Sequence, residues 1–130
     1  MPVTELRVVL TVTDVDRAVQ FFRDEVGLEQ IDEFHNDGGR GFLLDAGRAT
    51  LELFDEAQAA AIDQIEVGKR VAGPVRLAML TDDSETLAAK LAQAGADVIG
   101  RPAVTPWGDR NARLVGPDSI QLTLFTPAEA

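Results

Sequence analysis

Cysteine is absent from the 130 residues, which excludes disulfides, thiolate zinc sites and a cysteine nucleophile. No apolar run approaches the ~20 residues needed to span a bilayer. The first residues, Met1-Pro2-Val3-Thr4-Glu5, lack the basic-then-apolar pattern of a secretory signal, so a cytoplasmic location is expected. Basic residues are few: 12 Lys and Arg stand against 22 Asp and Glu, for a formal net charge of −10. That balance repels nucleic-acid phosphates and anionic membranes. Lys69-Arg70 is the only adjacent basic pair, so no nucleic-acid track appears. Neither nucleic acid nor membrane is an expected partner, and the acidity itself reads as a device for solubility.

What is present suffices for one compact unit. A 45% hydrophobic chain of this length can bury an adequate core, so residues 1–130 are expected to form a single domain.

The chain repeats itself. Leu6 to Val12 reads as a strand, rich in aliphatic and β-branched residues. Thr13-Asp14 offers an N-cap, Val15, Ala18, Val19, Phe22 and Val26 recur at helical spacing, and Gly27 can end the helix. The same order returns in strand Val75 to Leu80, cap residues Asp82-Asp83-Ser84, helix positions Leu87, Ala88, Leu91 and Ala94, and then Gly95. Three strands follow each helix: Leu28 to His35, Arg40 to Asp45 and Ala49 to Phe54, then Asp97 to Val104, Asn111 to Val115 and Ile120 to Thr126. The closing strands match as Leu51-Glu52-Leu53-Phe54 and Leu122-Thr123-Leu124-Phe125. Two βαβββ modules are therefore expected, over 5–56 and 73–127. The alanine-rich connector 57–72 contains a short helix at Ala57 to Ile62, and Val67 to Pro74 reads as loop.

Side chains alternate across a strand. Leu6, Val8, Leu10 and Val12 form an apolar stripe suited to packing under helices, as do Leu77 and Met79, and Leu51, Leu53, Leu122 and Leu124. The opposite face then carries Arg7 with Arg76, Glu52 with Thr123, and Phe54 with Phe125. Charges at strand centres are costly unless wet or paired, so this face is a candidate ligand site. The competing reading is an internal Arg–Glu pair that fixes the fold, or a mouth open to water.

The chain resembles the vicinal oxygen chelate superfamily, the glyoxalase/bleomycin-resistance/dioxygenase group. The resemblance lies in the first strand with Val12-Thr13-Asp14-Val15-Asp16-Arg17-Ala18-Val19-Gln20-Phe21-Phe22 and Val26-Gly27-Leu28, in Thr105-Pro106-Trp107-Gly108-Asp109-Arg110, and in Gly116-Pro117-Asp118-Ser119. The family form of the last turn is usually Asp-Pro-Asp-Gly, and Phe22 stands where Tyr is common. The resemblance implies an α+β fold in which the two βαβββ modules form a cup-shaped mixed sheet with helices on its outer face. It also implies a homodimer, with Ala49 to Phe54 or its second-half equivalent at the interface.

Metal-dependent members of the family place a ligand on the first strand and another on the closing strand of each half. Those positions here are Arg7, Glu52, Arg76 and Thr123. Only Glu52 keeps a usual ligand type. A guanidinium is always protonated, has no lone pair to give, and repels a divalent cation, so no metal and no cofactor is expected. The only histidine, His35, is read as a solvated loop residue, and Gly38-Gly39-Arg40-Gly41 as a hairpin turn rather than a phosphate loop. Trp107 admits two readings, core packing or stacking beside a ligand groove.

The function expected is binding or sequestering of a small, partly aromatic, anionic or polar molecule, as in metal-free bleomycin-resistance-type proteins. The ligand-binding candidates are Arg7, Glu52, Phe54, Arg76, Trp107, Thr123 and Phe125. The alternative is an enzyme, a lyase, isomerase or dioxygenase type with Glu52 as base or metal ligand.

Overall fold

The computed structural model describes residues 2–128. Eight strands form one curled sheet in the order β2-β3-β4-β1-β5-β8-β7-β6. They span Val3–Thr11 (β1), Glu29–Asn36 (β2), Gly39–Asp45 (β3), Thr50–Phe54 (β4), Val75–Thr81 (β5), Asp97–Val104 (β6), Arg110–Val115 (β7) and Gln121–Thr126 (β8). The helices are α1 (Val15–Val19), α2 (Glu56–Glu66) and α3 (Ser84–Gln93). β1 runs parallel to β4 and antiparallel to β5, and β5 runs parallel to β8. Each half is thus a βαβββ unit, and the first strands of the two halves join them at the centre of the sheet.

Local chemistry accounts for the boundaries. The Asp14 side chain accepts from the Arg17 N–H to open α1, and Asp83 does the same from Thr86 for α3. Gly27 and Gly95 follow those helices at φ of 94° and 108°, which glycine adopts without the steric cost of a Cβ. Asp37 and Gly38 both have positive φ between β2 and β3, the two-residue turn that suits a twisted hairpin. Asp118 and Ser119 have φ of 57° and 62°, so Ser119 holds the left-handed position filled by glycine in the usual Asp-Pro-Asp-Gly turn.

Two elements depart from the helical spacing read in the sequence. After Val19 the helix widens into a π-helical stretch over Gln20–Glu25, with the Val26 N–H donating to the Phe21 carbonyl. The wider turn rotates Val26 outward, leaving it 54% exposed. Leu6, expected beneath a helix, is 44% exposed. The α1 cluster reaches Leu10, Val12, Leu51 and Leu53, and the α3 cluster reaches Met79 and Leu124. Neither covers the β1–β5 seam where Leu6 lies.

α1 and α3 occupy the outer face as expected, whereas α2 lies inside the cup. Its Ala59 and Ile62 pack with Val9, Phe54, Ala78 and Phe125 from the concave side. Two glycines let it lie so close. A Cβ on Gly39 would fall 2.0 Å from the Gln58 backbone nitrogen, and one on Gly100 would fall 2.1 Å from the Glu66 carbonyl oxygen. β3 therefore receives the first turn of α2 and β6 its last, so the helix braces both halves. β4 and β8 are hydrogen-bonded on both sides. They therefore have no free edge for strand pairing with a second chain. The sheet edges are β2 and β6.

Candidate functional site

The alternation of the central strands builds the floor of the cup. Val9 and Ala78 lie at its centre, and polar side chains stand around them on the same face: Arg7 from β1, Glu52 from β4, Arg76 from β5 and Thr123 from β8. Ala78 and these four polar residues are part of the lining of a cavity of about 500 Å³. All seven candidate residues, Arg7, Glu52, Phe54, Arg76, Trp107, Thr123 and Phe125, line it. Gly41 keeps the wall open, because a Cβ there would come within 3.0 Å of the Phe54 ring.

The repeat places cations and rings in crossed pairs. The Arg7 guanidinium lies 4.8 Å from the Phe125 ring centre, and that of Arg76 lies 5.7 Å from the Phe54 ring centre. Each half thus supplies a cation to the other half's aromatic ring. The arginines differ in their other partners. Arg7 donates to Glu5 at 2.6 Å and lies 3.9 Å from Glu52. Arg76 donates to the Thr123 hydroxyl at 2.7 Å, and no described carboxylate lies within 4.0 Å of it. Arg76 is only 5% exposed, so the reading in which it points to bulk water is corrected. Burial lowers its pKa, an effect opposed by Glu66.

Glu52 is 8% exposed. Burial raises its pKa above the ordinary carboxylate value, and Arg7 and Arg76 only partly offset that rise. An internal Arg–Glu pair is present, with Arg7 shared between Glu5 at 2.6 Å and Glu52 at 3.9 Å.

A buried polar network stands beside this floor; apart from Thr123, its members were not among the sequence candidates. Arg113 is 0% exposed, donating to Asp63 at 2.8 Å and to Glu66 at 3.0 Å. Glu66 also accepts from Asn111 and from the Thr123 hydroxyl. Asp63 further accepts from the Val71 and Ala72 N–H groups and from Arg70. Burial pushes Asp63 up, but those N–H groups and Arg113 overcome it and hold its pKa below the usual carboxylate value. The network locks α2 to β7 and the 67–74 loop to α2, and it sets the Thr123 hydroxyl that supports Arg76.

The mouth is more exposed. Trp107 is 41% exposed and its indole N–H donates to Asp109 at 2.9 Å, so the ring offers a face while its donor is engaged. The core-packing reading of Trp107 is thereby set aside. His35 lies at the end of strand β2 rather than in a loop; its side chain is 61% exposed and lies 2.6 Å from Glu33.

Among the described residues no three His, Cys, Asp or Glu side chains converge as a metal-holding group. The donor chemistry of the four equivalent positions, two guanidiniums, one hydroxyl and one carboxylate, does not fit a divalent cation.

The profile of the Glyoxalase/Bleomycin resistance protein/Dioxygenase superfamily matches residues 6–124, and the chain belongs to that superfamily. Among solved structures it is similar to methylmalonyl-CoA epimerase from Mycobacterium tuberculosis, at 22% identity and a TM-score of 0.69, covering 98% of this chain and 90% of that one. It is likewise similar to Streptomyces coelicolor methylmalonyl-CoA epimerase in complex with 2-nitronate-propionyl-CoA, at 24% identity and TM-score 0.69, covering 99% and 98%. A superfamily member from Vibrio splendidus 12B01 aligns at 13% identity and TM-score 0.65, covering 94% and 97%. Likenesses at these identities show the fold. No curated protein sequence matches the chain. No helix among the described residues is long and apolar enough to cross a membrane.

Proposed function

We propose that the chain binds a small organic anion in the cup without a metal ion. Arg76 and Arg7 hold the anionic group, while Phe54, Phe125 and the Trp107 face rest against an apolar, partly aromatic body. The observation that carries this reading is Arg76, a buried cation lining a cavity with no carboxylate in ion-pair contact. Desolvating a guanidinium is costly, and charge-assisted bonds to an anion would offset that cost.

A second reading keeps the site and gives Glu52 a proton-transfer role in a lyase or isomerase. It is favoured by a buried carboxylate lining the cavity with a raised pKa, the environment that suits general acid–base work near neutral pH.

The chain is further proposed to form a homodimer through the uncovered outer seam, where Leu6 and Val75 are 44% and 53% exposed. Leu6 and Val75 share that face with half-buried Val8 and Leu77.

Paired titrations with benzoate and benzylamine, together with elemental analysis after loading with zinc, nickel or manganese, test the first reading. Saturable benzoate binding, no benzylamine binding and no retained metal are expected. Preference for benzylamine, or one tightly held metal per chain lost on Glu52→Ala, would overturn it.

A further inference from the structure

The geometry points to Glu52 as the group that takes up a proton when an anion enters the cup, so that an organic acid is bound as anion plus one proton. This rests on the anion-binding reading above.

The charges facing Glu52 come from several elements. On β1 stand Arg7, with its Nη1 3.9 Å from Glu52 Oε1, and Glu5, which holds Arg7 at 2.6 Å. β5 supplies Arg76 and α2 supplies Glu66. Behind these, Asp63 on α2 and Arg113 on β7 close a buried pair at 2.8 Å. Asp32 and His35 on β2 line the same cavity nearer its mouth. The flanking strand partners of Glu52, Val9 and Leu43, are apolar.

Of these groups, only Arg7 and Arg76 lower the cost of a charge on Glu52, and Arg7 is shared with Glu5. Glu66 is committed to Arg113, Asn111 and Thr123. An anion seated between the two guanidiniums takes over the counter-charge that Glu52 had been using. Two buried negative groups then face each other across a sheltered cavity, an arrangement that drives one of them to bind a proton. The ligand oxygens lie against the arginines, so the proton goes to Glu52. The protonated carboxyl then becomes a donor toward the ligand. No bond other than O–H forms, and the proton comes from solvent.

The sign follows from linkage. Binding raises the Glu52 pKa, so the affinity it contributes is full below the pKa of the free protein and falls as pH rises through that of the complex.

The test is calorimetric titration of the full chain with benzoate between pH 5.5 and 8, in buffers of differing ionisation enthalpy. Proton uptake approaching one per benzoate is expected in the part of this range between the Glu52 pKa of the free protein and that of the complex, with affinity there falling up to about tenfold per pH unit. Glu52→Gln should bind benzoate without proton uptake and with no pH dependence; if it fails to fold, the wild-type proton count decides. Benzoate binding to wild type without proton uptake would overturn this coupling and leave the anion site standing. Uptake that persists in Glu52→Gln would place the proton elsewhere and also overturn it. No benzoate binding at any of these pH values would overturn both readings.

Discussion

Replacing Arg76 with leucine should move binding and stability in opposite directions. In the folded chain this guanidinium has a hydrogen bond to Thr123 at 2.7 Å and a ring contact to Phe54 at 5.7 Å. Those contribute about 0.5–1.5 and 0.5–2 kcal/mol. Against them stands the desolvation of a cation that is 5% exposed, which costs several kcal/mol after relaxation, roughly as for one member of a buried pair. Removing a buried charge is harmful when it strands a partner, but Arg76 has no ion-paired carboxylate to strand, and Glu52 can relieve its own charge by taking a proton. The expected net effect is a gain of ~1–3 kcal/mol or no loss. At roughly 3–5 °C per kcal/mol for a domain of this size, unfolding should shift upward by several degrees. Benzoate affinity should fall at least about tenfold, equivalent to ~1.4 kcal/mol. Thermal and urea unfolding of both proteins, with calorimetric titration alongside, read both effects. A variant destabilised by more than ~1 kcal/mol that still binds benzoate would show that Arg76 serves the fold and refute the reasoning.

Asp63→Asn should do the reverse, costing ~1.5–3 kcal/mol at neutral pH, because buried Arg113 loses one of its two carboxylate partners and keeps only Glu66 at 3.0 Å. The folded pKa of Asp63 is depressed below the ordinary carboxylate value, so its contribution is present above that ordinary value and fades as pH falls through the folded one. Urea unfolding of the two proteins should therefore converge in acid; an equal gap at pH 7 and pH 3 would count against the assignment. Light scattering at micromolar concentration should give about twice the 14.0 kDa chain mass. Leu6→Glu should return it to one chain, and a wild-type protein that stays monomeric would contradict the proposed seam.

Most of the sheet was legible because two periods, alternation and repeat, constrain the same residues. Strands β2 to β8 lie within one residue of the boundaries read from the sequence. The alternation that sends Leu51 and Leu53 outward sends Glu52 and Phe54 inward, and with them the pocket floor. The same alternation along Arg110–Val115 places Asn111 and Arg113 on the concave face beside Thr123. That signal was present in the alternation, but nothing local showed that α2 would cover the two side chains and close a network over them. The position of α2 itself had no local signal. Alanine richness foretells a helix, but its seat depends on Gly39 and Gly100, far apart in the chain and each touching a different end of the helix. The π-helical turn after Val19 was equally hidden, since Val15, Ala18, Val19, Phe22 and Val26 keep the spacing of an uninterrupted α-helix.

The site lies where the repeat stops being symmetrical. Arg7 and Arg76 occupy matching places, cross to matching rings and flank short residues on a shared floor. A symmetrical duplication would give both the same counter-charges. In the first half those are Glu5 and Glu52; in the second, the closing-strand place of Glu52 is taken by Thr123, and Pro74 precedes β5 where an acid could have stood. Thr123 supplies an oxygen but no charge, and its hydroxyl proton is directed to Glu66. The second half therefore carries a cation without its acid, and the first an acid that shares its cation with Glu5. Neither imbalance helps either half to fold alone. Joined at β1 and β5, they set one uncommitted guanidinium and one loosely held carboxylate on the same floor, as a site for an anion and its proton requires.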